Sequence, residues 1–297
     1  MSSLNSAPVT LRFFIPDERL RPYISTYYLT EVNPATEERI TDWLHPEWAN
    51  LRIIEGILPM GSIGNEDPIT APRFSVVGPT SCATYFESNR MRSWGIGLLP
   101  LGWSKFIGVS AADYSDKTTD GNIDPHFAKF APLTGGIFGA GTADPEKEVQ
   151  FIEEFFLNLL EGADADDLLI QKAHQILIDE SLATVQDMAD LLGVTGRTLD
   201  RLSRRAFGFP PKLLLRRQRF LRSLAENMLN PSQNWISTLD QHYYDQAHFG
   251  RDFQRFMGMS ASEYKAKPHP FLNAAVHGRM AAAGAGMQVL HDPKTGN

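Results

Sequence analysis

The alternation of apolar and polar positions changes character near residue 144. Before about residue 135 the apolar residues come in short runs, among them LRIIEGIL (51–58), FSVVG (74–78) and WGIGLLPLGW (94–103). Gly61, Gly64, Pro68, Pro72 and Gly78-Pro79 separate them. No stretch there keeps a helical period, so the pattern predicts short strands folded into a barrel or sandwich. From Asp144 the period becomes helical: Val149, Ile152, Phe155, Phe156 and Leu159 share one face, and Gly162 ends that helix. The polar run GADADD (162–167) reads as a hinge, after which helical patterning continues to Tyr264. The small-residue-rich stretch 277–297 reads as disordered. The expected fold class is α+β and multidomain. A mostly-β, barrel-like domain with a C-terminal helix spans 1–162, an all-α domain spans 166–270, and 271–297 form a flexible tail.

Residues 184–208 carry a finer pattern. Thr184 with Asp187 three positions on makes a capping-box start, and Val185, Met188, Ala189 and Leu192 form one apolar face. Gly193 allows the left-handed turn that ends the helix. Thr195 caps a second helix that buries Leu199, Leu202 and Ala206 and turns Arg197, Asp200, Arg201, Arg204 and Arg205 outward. Two short helices about a glycine turn, the second rich in arginine, predict a helix-turn-helix whose second helix enters a DNA major groove. Any short helical hairpin shows the same apolar spacing.

Charge sharpens this picture. The chain is acidic overall, net −7, yet residues 196–222 hold nine basic residues against one acid, Asp200. Residues 1–169 carry net −12 and residues 170–270 net +4. The basic stretch is a candidate polyanion footprint. The charge difference also predicts that the N-terminal half weakens DNA binding, by repelling the phosphate backbone or by docking on helices 196–222.

A second unit follows in YYDQAHFGRDFQRFMGMSASEY (243–264). Asp245 caps a helix in which Phe249, Phe253, Phe256 and Met257 form a buried stripe. Gln246, His248, Arg251, Asp252 and Arg255 are left outside it. His242 and His248 are six apart, the wrong spacing for two ligands on one helix face, and no HExxH or CxxC accompanies them, so no metal is expected. The exposed set suits phosphates and base edges better.

The segment DQAHFGRDFQRFMGMSASEY, with the order helix-turn-helix, Gly-x-Pro-Pro, long helix RRQRFLRSLA, second helix-turn-helix, resembles the AraC-type (AraC/XylS) transcription regulators over about residues 168–268. The resemblance implies a bacterial, cytoplasmic, sequence-specific DNA-binding regulator with two helix-turn-helix subdomains joined by a linker helix, here from about Lys212 to Leu229. By position in that pattern, Gly196, Arg197, Asp200, Arg201 and Arg204 of the first unit and Gln246, Ala247, His248 and Arg251 of the second would face double-stranded DNA. Three departures stand out. Ser203 replaces a usual core phenylalanine, a gap that Phe207 is placed to fill; Tyr243 replaces a turn glycine; Ala261 replaces a proline.

The resemblance also implies a sensing or dimerisation role for the N-terminal half, leaving open a small-molecule effector, RNA polymerase and a second copy as partners. Ligand-binding residues stay unassigned. Trp43, Trp48, Trp94 and Trp103 suit either an apolar pocket or plain core packing, and the run PLGWSKFIG (100–108) either a motif of some sensing domains or a strand and turn. The competing reading makes the barrel an enzyme or small-molecule-binding domain with a vestigial helical part. No nucleophile elbow, Walker loop or dinucleotide fingerprint supports it, so neither catalysis nor a cofactor is expected. One cysteine, Cys82, fits a reducing compartment. The N-terminus lacks signal-peptide character, and no apolar run is long enough for a bilayer.

Overall fold

The computed structural model describes residues 8–139, 143–160, 165–230, 232 and 235–292. Among these residues, ten antiparallel strands build two sheets. Strands β1 (Val9–Phe14), β2 (Ile24–Val32), β4 (Asn50–Gly56), β7 (Phe74–Val77), β9 (Met91–Leu98) and β10 (Thr118–Asp120) form one sheet in the order β1-β2-β9-β4-β7-β10. Strands β3 (Ile40–Leu44), β5 (Met60–Ile63), β6 (Ile69–Thr70) and β8 (Thr84–Ser88) form the other in the order β3-β8-β5-β6. The β-rich reading holds, as an open two-sheet arrangement rather than a closed barrel.

Strand β2, ISTYYLTEV, is buried along nearly its whole length because the sheet is covered on both faces. Gly95 lies opposite Tyr28 across the β2–β9 pair, and a Cβ there would stand 2.0 Å from the tyrosine ring. Glycine is what lets Tyr28 lie flat over the neighbouring strand.

Strand β9 ends at Leu98, short of Trp103. Pro100 opens a short helix, α1 (Pro100–Gly102), which continues as a wide helical turn to Ile107, so PLGWSKFIG is helical and not a strand. Helix α2 (Ala131–Gly136) and helix α3 (Pro145–Leu159) close the N-terminal half, with Ile152 and Phe156 buried. Of GADADD, residues 162–164 lie outside the described residues and Ala165 already begins helix α4 (Ala165–Ile178).

Helices α5 (Val185–Leu192), α6 (Gly196–Phe207), α7 (Pro211–Leu229), α8 (Gln246–Met257) and α9 (Ala261–Lys265) make the helical region. One hydrophobic core runs from Trp48, Ala83, Leu99 and Leu101 of the N-terminal half through all of these helices. Trp48, Trp94 and Trp103 are core residues, Trp43 is half-buried, and none of the four lines the cavity between the sheets.

The tail departs from expectation. Pro270–Ala283 form helix α10, and Phe271, Leu272 and Val276 are buried. Asp42 of β3 accepts the backbone N–H groups of Phe271 (2.9 Å) and Leu272 (3.0 Å), satisfying two orphan donors of the first turn. Small residues there serve close packing: a Cβ on Gly278 would meet the Phe13 ring at 3.0 Å. Low-complexity composition resembles disorder because much of the surface this helix packs on, strands β1 and β3, lies more than two hundred residues away. Residues 293–297 lie outside the described residues.

Candidate nucleic-acid interface

The first unit forms as its caps dictate. Thr184 and Asp187 exchange both capping-box hydrogen bonds, Gly193 adopts φ +70°, and Thr195 accepts the amide of Thr198 at 3.2 Å. Leu199, Leu202 and Ala206 are buried, which leaves Gly196, Arg197, Arg201, Arg204 and Arg205 exposed and Asp200 half-exposed. Arg204 pairs with Asp200 at 2.9 Å along the helix, so Arg197 and Arg201 are the freer guanidiniums of the face. A Cβ on Gly196 would meet nothing within 4 Å, so the first turn of α6 stands open to a partner backbone.

The basic stretch divides here. The α6 arginines face solvent and Lys212 is exposed, but the α7 arginines turn inward. Arg216 pairs with Asp252, Arg222 with Asp240 at 2.6 Å, and Arg219 sits 5.6 Å from the Tyr243 ring. Arg217 is fully buried, 4.0 Å from the Trp48 ring, and donates to the Thr80 carbonyl at 2.8 Å. Four of the nine basic residues of the apparent footprint therefore belong to internal architecture. The outward face of α6 is open, so the acidic half does not mask its arginines; it meets the 196–222 region from the other side, through Ser115 at Gly208 and Thr80 at Arg217.

In the second unit Asp245 accepts the amide of His248 at 2.6 Å and caps α8. Phe249, Phe253, Phe256 and Met257 are buried as the stripe requires. Gln246, Ala247 and Arg251 are exposed, and His248 is half-buried 5.1 Å from the Tyr243 ring. Asp252, expected outside the stripe, is completely buried. It is held by Arg216 and by the Tyr243 hydroxyl, which donates at 3.0 Å. A buried carboxylate needs such partners. Tyr243 thus replaces the usual turn glycine with a hydroxyl that completes this site. Beneath it, burial works against the charge of Asp240, but the His242 amide and Arg222 outweigh it and hold its pKa below the usual carboxylate value.

Tyr244, beside the α8 cap, is 94% exposed, an apolar ring on the same surface that the helical period of α8 does not reveal because it precedes the helix. Ser203 keeps a buried hydroxyl with no hydrogen-bond partner among the described residues, while Phe207 is directed at Trp48, 5.6 Å away, rather than into that gap. Ala261 opens α9 under a Ser260–Glu263 capping box that needs no proline.

The N-terminal half grips both units. Ser115 donates to the Gly208 carbonyl at 2.9 Å, Ala83 donates to the Phe256 carbonyl at 2.7 Å, and His45 shares a hydrogen bond of 2.8 Å with Tyr264. Burial, helped by His269, pulls the His45 pKa down to about 3, so this imidazole is neutral.

A helix-turn-helix domain model matches residues 188–267, spanning α6, α7, α8, α9 and most of α5. A search of curated proteins found no match. Among solved structures, ToxT from Vibrio cholerae is similar at 13% identity over 86% of this chain and 98% of that chain, with a TM-score of 0.43. A second ToxT structure, from strain O395, gives 11% identity over 88% and 98%, with a TM-score of 0.41.

Proposed function

We propose that this chain, whose residues 188–267 match a helix-turn-helix domain, is a DNA-binding transcription regulator of the AraC type and that α6 and α8 are its two recognition helices. In this reading Gly196, Arg197, Asp200, Arg201 and Arg204 of the first, and Gln246, Ala247, His248 and Arg251 of the second, face duplex DNA. Arg197 and Arg201 read guanine edges or phosphates, and the glutamine, histidine and arginine of α8 supply further donors. The observation that carries it is that both helices bury a complete apolar stripe and leave these side chains at the surface.

The chain acts in the cytoplasm as a regulator rather than an enzyme, controlled by a small molecule held in the N-terminal half. RNA polymerase and a second copy of the chain are further partners of the same reading. Among the described residues, no helix is long and apolar enough to cross a membrane. The test is selection of fragments from the native genome by the full-length chain. Enrichment of one motif, lost on Arg201→Ala together with Gln246→Ala, supports the reading; uniform recovery of all fragments contradicts it.

A further inference from the structure

Between the two sheets lies a cavity of about 180 Å³ whose remaining wall is α10 and the segment 286–288. Its lining is mainly apolar, with Leu11, Phe13 and Ile54 from one sheet, Met60 and Phe86 from the other, and Val276 from α10. Among the described residues, the carboxylates and guanidiniums of the lining are Glu47, Arg52 and Arg279, and the remaining titratable base there is the neutral His45.

Glu47 and Arg52 form an ion pair with each other. That leaves Arg279. It is 7% exposed, donates among the described residues only to the neutral Thr26 hydroxyl at 2.9 Å, and lies 4.9 Å from the Phe13 ring and 6.0 Å from the Tyr28 ring. No carboxylate among the described residues is in ion-pair distance of it. Burial lowers its pKa, with Tyr28 and Glu47 acting in the opposite direction, but a guanidinium keeps its proton. The cavity therefore holds one uncompensated positive charge in apolar surroundings, which a folded chain tolerates at a cost unless something pairs it.

We propose that this cavity binds a monoanionic amphipath, an organic acid whose carboxylate pairs with Arg279 while its apolar body lies between the sheets. A carboxylate matches the planar guanidinium fork. One negative charge neutralises the lining, whereas a dianion would leave a charge unpaired. The inference rests on the reading of the N-terminal half as the effector domain, and it adds the ligand class and the anchoring residue. The anchor comes from outside both the sheets and the matched helix-turn-helix region. Helix α10 is tied to α9 through His269, which bonds to the Tyr264 carbonyl at 2.8 Å and to Asp42 at 2.9 Å. A ligand on Arg279 would thus fix the helix that follows the second DNA-binding unit.

Calorimetric titration of the full chain with benzoate, octanoate and 1-naphthoate, each against its primary amide, tests this. At least one acid should bind at one per chain, with its amide roughly 10- to 100-fold weaker, the range expected for a charge-assisted hydrogen bond. Arg279→Gln should weaken the acid by a similar factor, and Arg279→Lys should recover part of the loss. If the glutamine variant fails to fold, the acid–amide comparison and the lysine variant still decide. Failure of all three acids to bind, equal binding of acid and amide, or full affinity in Arg279→Gln overturns the proposal. The effector reading fails separately, if an acid binds but the affinity for DNA does not change.

Discussion

Arg201 is the side chain on which specificity should turn first. It is exposed on α6 one position before the buried Leu202 and, unlike Arg204, has no ion-pair partner within its helix. Arg201→Ala should cost about 1–3 kcal/mol on the selected site if it contacts a guanine edge. Operator and random duplexes titrated in parallel check this; equal losses on both would make Arg201 a phosphate contact. Tyr243 acts differently, through Asp252 and not through DNA. Tyr243→Phe removes one donor from a buried carboxylate and should cost about 1.5–3 kcal/mol of stability. Urea unfolding measures it, and an unchanged midpoint would mean that Arg216 alone satisfies Asp252.

The elements that local rules determine were legible, and those that distant contacts determine were not. Helices α5, α6 and α8 begin and end where Thr184, Gly193, Thr195, Asp245 and Gly258 set them, because capping chemistry is local. Asp252 was misplaced because its partners, Arg216 and Tyr243, belong to other segments. Helix α10 was missed because its burial depends on β1 and β3. The exposed faces that form the candidate interface could be assigned, since each is the complement of a clear apolar stripe. Phe253→Ala should destabilise α8 by about 3–5 kcal/mol without altering which sequence is preferred. A melting temperature equal to that of the unmodified chain would show the stripe to be exposed. The clamp between α10 and β3 should respond to pH. Burial opposes protonation of His269, but Asp42 and the Tyr264 carbonyl prevail and raise its pKa above 6.5. Its contribution is therefore complete below about 6.5 and fades as pH rises through the folded-state value. The melting-temperature gap between the natural chain and His269→Gln should be wider at pH 6 than at pH 9; an equal or reversed gap would show that the pair contributes no charge interaction.

At the scale of the whole molecule, the two halves are not beads on a linker. They share a core through Trp48, Arg217 and Phe207, and the chain returns through α10 to the cavity between the sheets. This architecture gives the N-terminal half a physical route to α6 and α8 while leaving their outward faces uncovered. Masking of the arginines by acidic surface does not fit the open face of α6, whereas the shared core offers a route for control through packing. The central claim is that α6 and α8 jointly read DNA. The most direct measurement is the salt-dependent affinity of the full chain for its selected duplex, compared with Arg197→Ala/Arg201→Ala and Gln246→Ala/Arg251→Ala, with circular dichroism confirming the fold of each. The expected result is tight binding by the natural chain that falls linearly on a log–log salt plot, with each double variant losing at least about tenfold more affinity on that duplex than on random DNA. Binding by both double variants indistinguishable from the natural chain, at every salt concentration, would contradict it.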